Sequence, residues 1–179
     1  SDSYVPVDRL MPFGGYWINS SRDLTVSLRP HYFDGGTLTR ESEYLWSLNL
    51  KASDVNGEAA SDYVMVGLSE NANNDFTYGE DEYDIPAPMI SEYIDIQIDK
   101  QEWVGQRDAN GNQVNSSQFV KDIRSIEYED FHAWKITGEK LNVDNDIELS
   151  WGDASSIEDD LHLVINGTAI NMKEETSVQ

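Results

Sequence analysis

Hydrophobic and polar residues alternate in several stretches of the chain. The alternation is clear at residues 44–51, 93–98 and 147–151, and a shorter example occurs at residues 24–28. A period of two residues is typical of a β-strand that buries one face. The run at residues 63–68 is mostly apolar and rich in β-branched residues, which also favours a strand. No window of about 11 residues or more shows the ~3.6-residue period of an amphipathic helix, so the pattern predicts an all-β chain.

Further strands are predicted in the second half of the chain. Residues 119–128 and 131–137 have strand-like composition. Leu161–Ile165 and Thr168–Met172 flank the pair Asn166-Gly167. Asn-Gly is a preferred pair for the two-residue turn of a β-hairpin, so these two segments are predicted to form one. Roughly eight to ten strands separated by Gly, Asn and Asp turns fit a two-sheet β-sandwich, either Ig-like or jelly-roll-like.

The length of 179 residues fits a single domain. We therefore expect one β-sandwich domain over residues 1–179. Its first part, about residues 1–20, is expected to be an irregular arm because prolines and a Gly14-Gly15 pair interrupt any regular element. Its last part, about residues 174–179, is expected to be a short polar tail.

The chain is strongly acidic, and this excludes some partners. It has 34 acidic and 12 basic residues, which gives a formal net charge of -22. Such a charge repels phosphate groups, so nucleic acid is not an expected partner. No apolar run approaches about 18 residues, so membrane insertion is not expected. The acidity itself fits a solvated surface, a saline habitat or cation binding, and composition does not separate these causes.

A carboxylate-rich loop at residues 67–89 joins the two predicted halves. No Lys or Arg lies between Glu70 and Asp84. Calcium binds about six to eight oxygen atoms from carboxylates, amides and carbonyls, and a flexible loop can supply them. The candidate calcium ligands are Glu70, Asn71, Asp75, Asp81 and Asp84. A solvated acidic loop is an equally good interpretation. A second oxygen-rich segment, residues 108–112, is better interpreted as a turn.

Five tryptophans and nine tyrosines are many for a small sandwich. Sugars pack on exposed aromatic rings with help from carboxylates and amides. Trp46, Trp134 and Trp151 alternate in phase with apolar neighbours, so they are expected in the core. Aromatic residues in turn-like stretches could instead face solvent and bind a ligand, although packing beneath loops would also explain them. These candidates are Trp17, Tyr78, Tyr83 and Trp103.

Six short motifs follow one another along residues 44–173. They are Trp46–Ala52, Val66–Ala72, Tyr83–Pro88, Lys121–Arg124, Ile147–Trp151 and Ile170–Lys173. Their order resembles that of a β-sandwich accessory domain found near the C-terminus of large secreted bacterial proteins, often before a type IX secretion sorting domain. The resemblance implies an extracellular or cell-surface module that accompanies other domains of the same polypeptide.

Catalytic motifs are not evident in the sequence. The three histidines, His31, His132 and His162, do not have the spacing of a zinc-protease motif, and the chain lacks a GxSxG motif. We therefore expect a non-catalytic extracellular module that binds a glycan or a neighbouring surface protein, with calcium as a candidate cofactor. A purely structural spacer is the alternative. A glycoside-active enzyme is the third hypothesis, because two carboxylates roughly 5–9 Å apart can hydrolyse a glycoside.

Overall fold

Strands form nearly all the regular structure in the computed structural model of the chain. The model describes residues 44–57, 59, 61–77, 80–84, 92–107, 111, 113–127 and 130–179, and these residues belong to one compact unit. Within them lie ten β-strands and one short 3-10 turn, Gln101–Trp103. The strands are β1 (Trp46–Asp54), β2 (Asp62–Ser69), β3 (Glu82–Tyr83), β4 (Tyr93–Asp99), β5 (Gln118–Ser125), β6 (Ile136–Leu141), β7 (Ile147–Ser150), β8 (His162–Ile165), β9 (Thr168–Asn171) and β10 (Ser177–Val178).

The fold class predicted from the alternation is confirmed. Strands β1, β2, β4, β5 and β7 lie where the sequence predicts them. Strands β8 and β9 form the predicted hairpin, with φ of 51° at Asn166 and 79° at Gly167. Positive φ at both central residues is the geometry that an Asn-Gly turn favours.

One predicted strand is wrong in its position. The sequence predicts a strand at residues 131–137, but β6 begins only at Ile136 and continues to Leu141. Residues 131–135 are irregular because two of their side chains contact other strands. His132 Nε2 lies 2.8 Å from the carbonyl oxygen of Ser125 in β5, and Trp134 packs against Trp46 in β1.

Two further expectations concern the ends of the chain. Residues 174–179, expected to be a polar tail, include β10, which pairs with β7 at Ser150 and Leu149. The predicted strand at residues 24–28 and the expected arm at about residues 1–20 lie outside the described residues.

Strand β5 connects the strands β10, β7, β1 and β2 with the strands β4 and β6; we call these two groups the halves of the fold. The main sheet has the strand order β10-β7-β1-β2-β5-β4-β6, and β3 pairs with β5 off this path. Phe119 of β5 pairs with Tyr83 on one edge and Ile98 on the other, while Lys121 pairs with Glu82 and Met65. A strand residue has one partner on each edge. Strand β3 therefore lies along one edge of β5, and β4 and β2 follow one another along the opposite edge.

The hydrophobic core draws on both halves. Leu50 and Val64 come from β1 and β2, Ile96 and Ile98 from β4, and Phe119 from β5. All five side chains are buried. The fold is thus an all-β sandwich, as the sequence predicts, and β5 contributes to both of its halves.

Gly67 allows β1 and β2 to approach closely, and this generates a prediction. A Cβ atom at Gly67 would lie 2.5 Å from the Trp46 carbonyl oxygen and 3.1 Å from Ile123 Cδ1. We expect Gly67→Ala to lower the free energy of unfolding by about 1–3 kcal/mol, because backbone and core atoms must move. Denaturant unfolding measures this. The control is Asn49→Ala, a change at an exposed residue of the neighbouring strand β1, which should leave the denaturation midpoint nearly constant. An unchanged midpoint for Gly67→Ala would contradict the steric argument.

Candidate functional site

Two of the four candidate ligand-binding aromatic residues lie in a cluster of buried rings. Tyr83 stacks on Phe119 at 4.8 Å between ring centroids, and Trp103 meets Phe119 edge-on at 5.1 Å. Phe76 completes the cluster at 5.6 Å from Phe119. Trp103 is only 2% exposed, so the expectation that it faces solvent is wrong, and Tyr83 is half-buried.

The other two candidates have no structural description. Trp17 and Tyr78 lie outside the described residues. The burial of Trp103 has a physical cause in its neighbours, because the 3-10 turn at Gln101–Trp103 places the ring against Phe76 and Phe119. The turn-like sequence around Trp103 does not reveal this, since the contacting rings lie far away in the chain.

The candidate calcium ligands have different environments. Glu70, Asn71 and Asp75 are exposed, Asp84 is half-buried and Asp81 is 3% exposed. In the part of the chain that the structure describes, no group of three or more His, Asp or Glu side chains could hold a metal ion. Calcium binding stays a prediction from the sequence.

Asp81 fixes the acidic loop to β5. Its Oδ2 accepts a hydrogen bond from the Thr77 N–H at 2.8 Å, and its Oδ1 accepts one from the Ile123 N–H at 3.0 Å. Strand β3 pairs with β5 only as far as Lys121, so the Asp81 carboxylate supplies the acceptor that Ile123 needs. Burial raises the pKa of Asp81 to about 7, and the nearby negative charges of Asp122 and Glu80 act in the same direction.

A buried ion cluster lies on the core side of β5. Asp122 is fully buried, and its Oδ2 lies 3.1 Å from Lys100 Nζ and 3.0 Å from Arg124 Nη2. Lys100 is 3% exposed, and its ammonium group also sits 3.8 Å from the centroid of the Trp103 ring. Sequence reasoning missed this cluster. Lys100 does continue the inward phase of Ile94, Ile96 and Ile98, so the alternation contained a signal for its burial.

A set of partly exposed rings lies at the start of β1 and before β6; we call Trp46, Phe131, His132 and Trp134 the tryptophan patch. Trp46 and Trp134 are half-buried and meet edge-on at 6.0 Å. His132 lies 5.7 Å from Trp134, and Phe131 is 75% exposed. Sequence reasoning placed both tryptophans in the core, and the structure shows them packed against the core from its edge.

Polar groups flank the tryptophan patch. Trp46 Nε1 donates a hydrogen bond to Asp159 Oδ2 at 2.7 Å, and the Arg124 guanidinium lies 4.8 Å from the centroid of the Trp134 ring. Trp134 Nε1 is buried and has no hydrogen-bond partner among the described residues. The patch thus combines aromatic surface with a carboxylate and a guanidinium group, a combination common in binding sites. Trp151, the third tryptophan predicted in the core, is buried at 5% exposure.

Comparisons with known proteins add no relative. Comparison of the chain with family models, curated proteins and solved structures gave no match. Among the described residues, no helix has the length and apolar character needed to cross a membrane.

The buried ion cluster generates a stability prediction. Lys100→Met removes one of the two cationic partners of the buried Asp122 and leaves Arg124 in place, so we expect the free energy of unfolding to fall by about 1.5–3 kcal/mol. The matched control is Lys135→Met, which removes an exposed partner of Asp99 and should hardly move the denaturation midpoint. Chemical denaturation of both variants checks this. Equal midpoints for the two variants would show that the buried charge is tolerated without its lysine.

The raised pKa of Asp81 predicts a pH dependence. The folded protein holds this proton up to about pH 7, whereas the unfolded chain loses it near the ordinary value of 3.8. The stabilisation that protonated Asp81 gives the folded state is therefore complete below about pH 4 and is lost as the pH rises to about 7. Over this range the free energy of unfolding falls by up to about 1.4 kcal/mol per pH unit. Asp81→Asn should flatten this part of the curve, and exposed Asp75→Asn should not. Identical pH profiles for the parent and Asp81→Asn would overturn the assignment.

Proposed function

We propose that the chain is a non-catalytic β-sandwich module of a larger secreted or cell-surface bacterial protein, and that it binds a glycan or a neighbouring surface component through the tryptophan patch. The observation that carries this proposal is Phe131. This ring is 75% exposed, and its neighbour in the sequence, His132, lies 5.7 Å from the ring of Trp134, which meets Trp46 edge-on. A large exposed aromatic side chain beside further aromatic surface is typical of a binding site.

The chemistry of the patch suits a sugar. The C–H face of a sugar ring packs on an aromatic ring, and its hydroxyl groups bond to carboxylate and guanidinium groups. Asp159 and Arg124 contact the two tryptophans and lie within the same region. Two further exposed apolar residues are neighbours of these elements in the sequence: Leu45 precedes Trp46, and Ile126 follows Ser125, which His132 contacts.

Three buried charged groups, Asp122, Lys100 and Asp81, have structural roles, which supports binding rather than catalysis. Asp122 and Lys100 are 0% and 3% exposed, so a ligand at the surface does not reach them. Asp81 is 3% exposed and bonds to two backbone N–H groups. These groups stabilise the junction at β5, while the accessible aromatic surface lies at the tryptophan patch.

The setting and the cofactor are also proposals. An extracellular or cell-surface location, beside other domains of one polypeptide, follows from the resemblance of residues 44–173 to the secreted accessory domain. Calcium is proposed as a stabilising ion at the loop around Glu70, Asn71 and Asp75, whose side chains are exposed and rich in oxygen.

A structural spacer is the second candidate. It is favoured by the inward position of Trp103 and the stacking of Tyr83 on Phe119, which give both rings a packing role. The bond between Trp46 Nε1 and Asp159 likewise links β1 to the segment before β8. A spacer would use the patch only to hold these segments together.

A glycan array separates the two candidates. We expect the parent protein to bind a defined class of glycan, and Phe131→Ala to weaken that binding at least about fivefold, because truncation of a central aromatic residue commonly costs more than 1 kcal/mol. Tyr63→Ala is the matched control, since Tyr63 is 53% exposed on β2 and lies outside the patch. Absence of binding by the parent would favour the spacer. Binding that Phe131→Ala leaves unchanged would exclude the patch as the site.

A further inference from the structure

Among the residues that the structure describes, the backbone groups on the outer edge of β6 have no strand partner. Strand β6 ends the order of the main sheet and pairs only with β4 among the described residues. The Ile96 N–H donates to Asp62 Oδ2 at 2.9 Å, so Ile96 and its partner Gly138 direct their backbone groups away from each other. Because these directions alternate along an antiparallel ladder, Ile136, Gly138 and Lys140 present their N–H and C=O groups at the outer edge.

A row of carboxylates leads across the strands to this edge. Glu139 of β6 is exposed and lies directly opposite Asp95 of β4, which in turn contacts Asp62 of β2. None of the ion pairs among the described residues includes these three carboxylates. The pKa of Asp95 is raised, first by burial and then by the charges of Asp62 and Glu139. The hydroxyl of Tyr93 lies 3.4 Å from Glu139 Oε1 and adds no positive charge.

We propose that the outer edge of β6 accepts an extended cationic segment of a protein partner as an additional antiparallel strand. The partner's backbone would pair with Ile136, Gly138 and Lys140, as in strand addition to an open sheet edge. A lysine or arginine opposite Glu139 would face the carboxylates, since directly opposed side chains have Cβ atoms about 4.5–5.5 Å apart. The proposal uses the backbone of β6 and not the tryptophan patch, so it does not depend on the proposed function.

Charge selects this occupant over a second copy of the chain. A second copy would also carry a formal charge of -22 and would add its own acidic row to the first. Like charges close together across strands are destabilising. A cationic strand instead supplies the positive charge that Asp62, Asp95 and Glu139 lack.

The test uses a fluorescent seven-residue peptide that alternates threonine and lysine. If lysine lies opposite Glu139, the threonines lie opposite Ile136, Gly138 and Lys140 and donate the ladder hydrogen bonds. N-methylation of the threonine nitrogens should therefore abolish binding, and N-methylation of the lysine nitrogens should retain it. Amide exchange measured by NMR should show protection of Ile136, Gly138 and Lys140 when the unmodified peptide is bound.

Protein variants test the charge contribution. We expect Glu139→Gln and Asp95→Asn to weaken peptide binding up to about fivefold each. Glu174→Gln, an exposed change elsewhere, is the control and should leave binding constant. A peptide with glutamate in place of lysine should not bind. Equal binding of both N-methylated peptides, or protection confined to other amides, would overturn the proposal and indicate nonspecific attraction to the acidic surface.

Discussion

The buried carboxylate of Asp122 is the group on which the junction of the two halves depends. Strand β5 must pair with β4 near its start and with β2 further along the same edge, so it carries strands from both halves. Lys100 follows β4 and Arg124 lies near the end of β5, and both ion-pair with Asp122. A buried charge without partners costs several kcal/mol. The pairing of Asp122 with Lys100 and Arg124 therefore favours the one arrangement of β4 against β5 that brings the three side chains together.

The same junction explains why aspartates accept backbone hydrogen bonds inside this fold. Where β4 diverges from β5, the Ile96 N–H donates to Asp62, and where β3 ends, the Ile123 N–H donates to Asp81. Asp54, the last residue of β1, accepts a hydrogen bond from the Asn56 N–H at 3.1 Å in the turn that follows. A buried N–H without an acceptor is costly, and an aspartate side chain can replace the missing strand. Part of the acidity is therefore structural.

Period-two alternation predicts most strands because each of them buries one face. It fails at residues 131–137, where contacts of His132 and Trp134 with β5 and β1 delay the strand to Ile136. The candidate site was harder to predict, since the exposure of an aromatic ring depends on partners distant in sequence, as Trp103 shows by packing on Phe119. For the same reason, the sequence does not reveal which carboxylate of the acidic loop turns inward as Asp81 does.

The surfaces to which we assign binding lie where regular pairing ends. Phe131 lies in the irregular segment 131–135 before β6, and no described strand pairs with the outer edge of β6. Groups inside the fold are committed to one another, as the Asp122 cluster and the ring cluster around Phe119 are, so altering them changes stability first. The Phe131 ring is exposed, and in the part of the chain that the structure describes no strand pairs with the outer edge of β6. A substitution of Phe131 or Glu139 is therefore expected to change the proposed binding while the core stays intact.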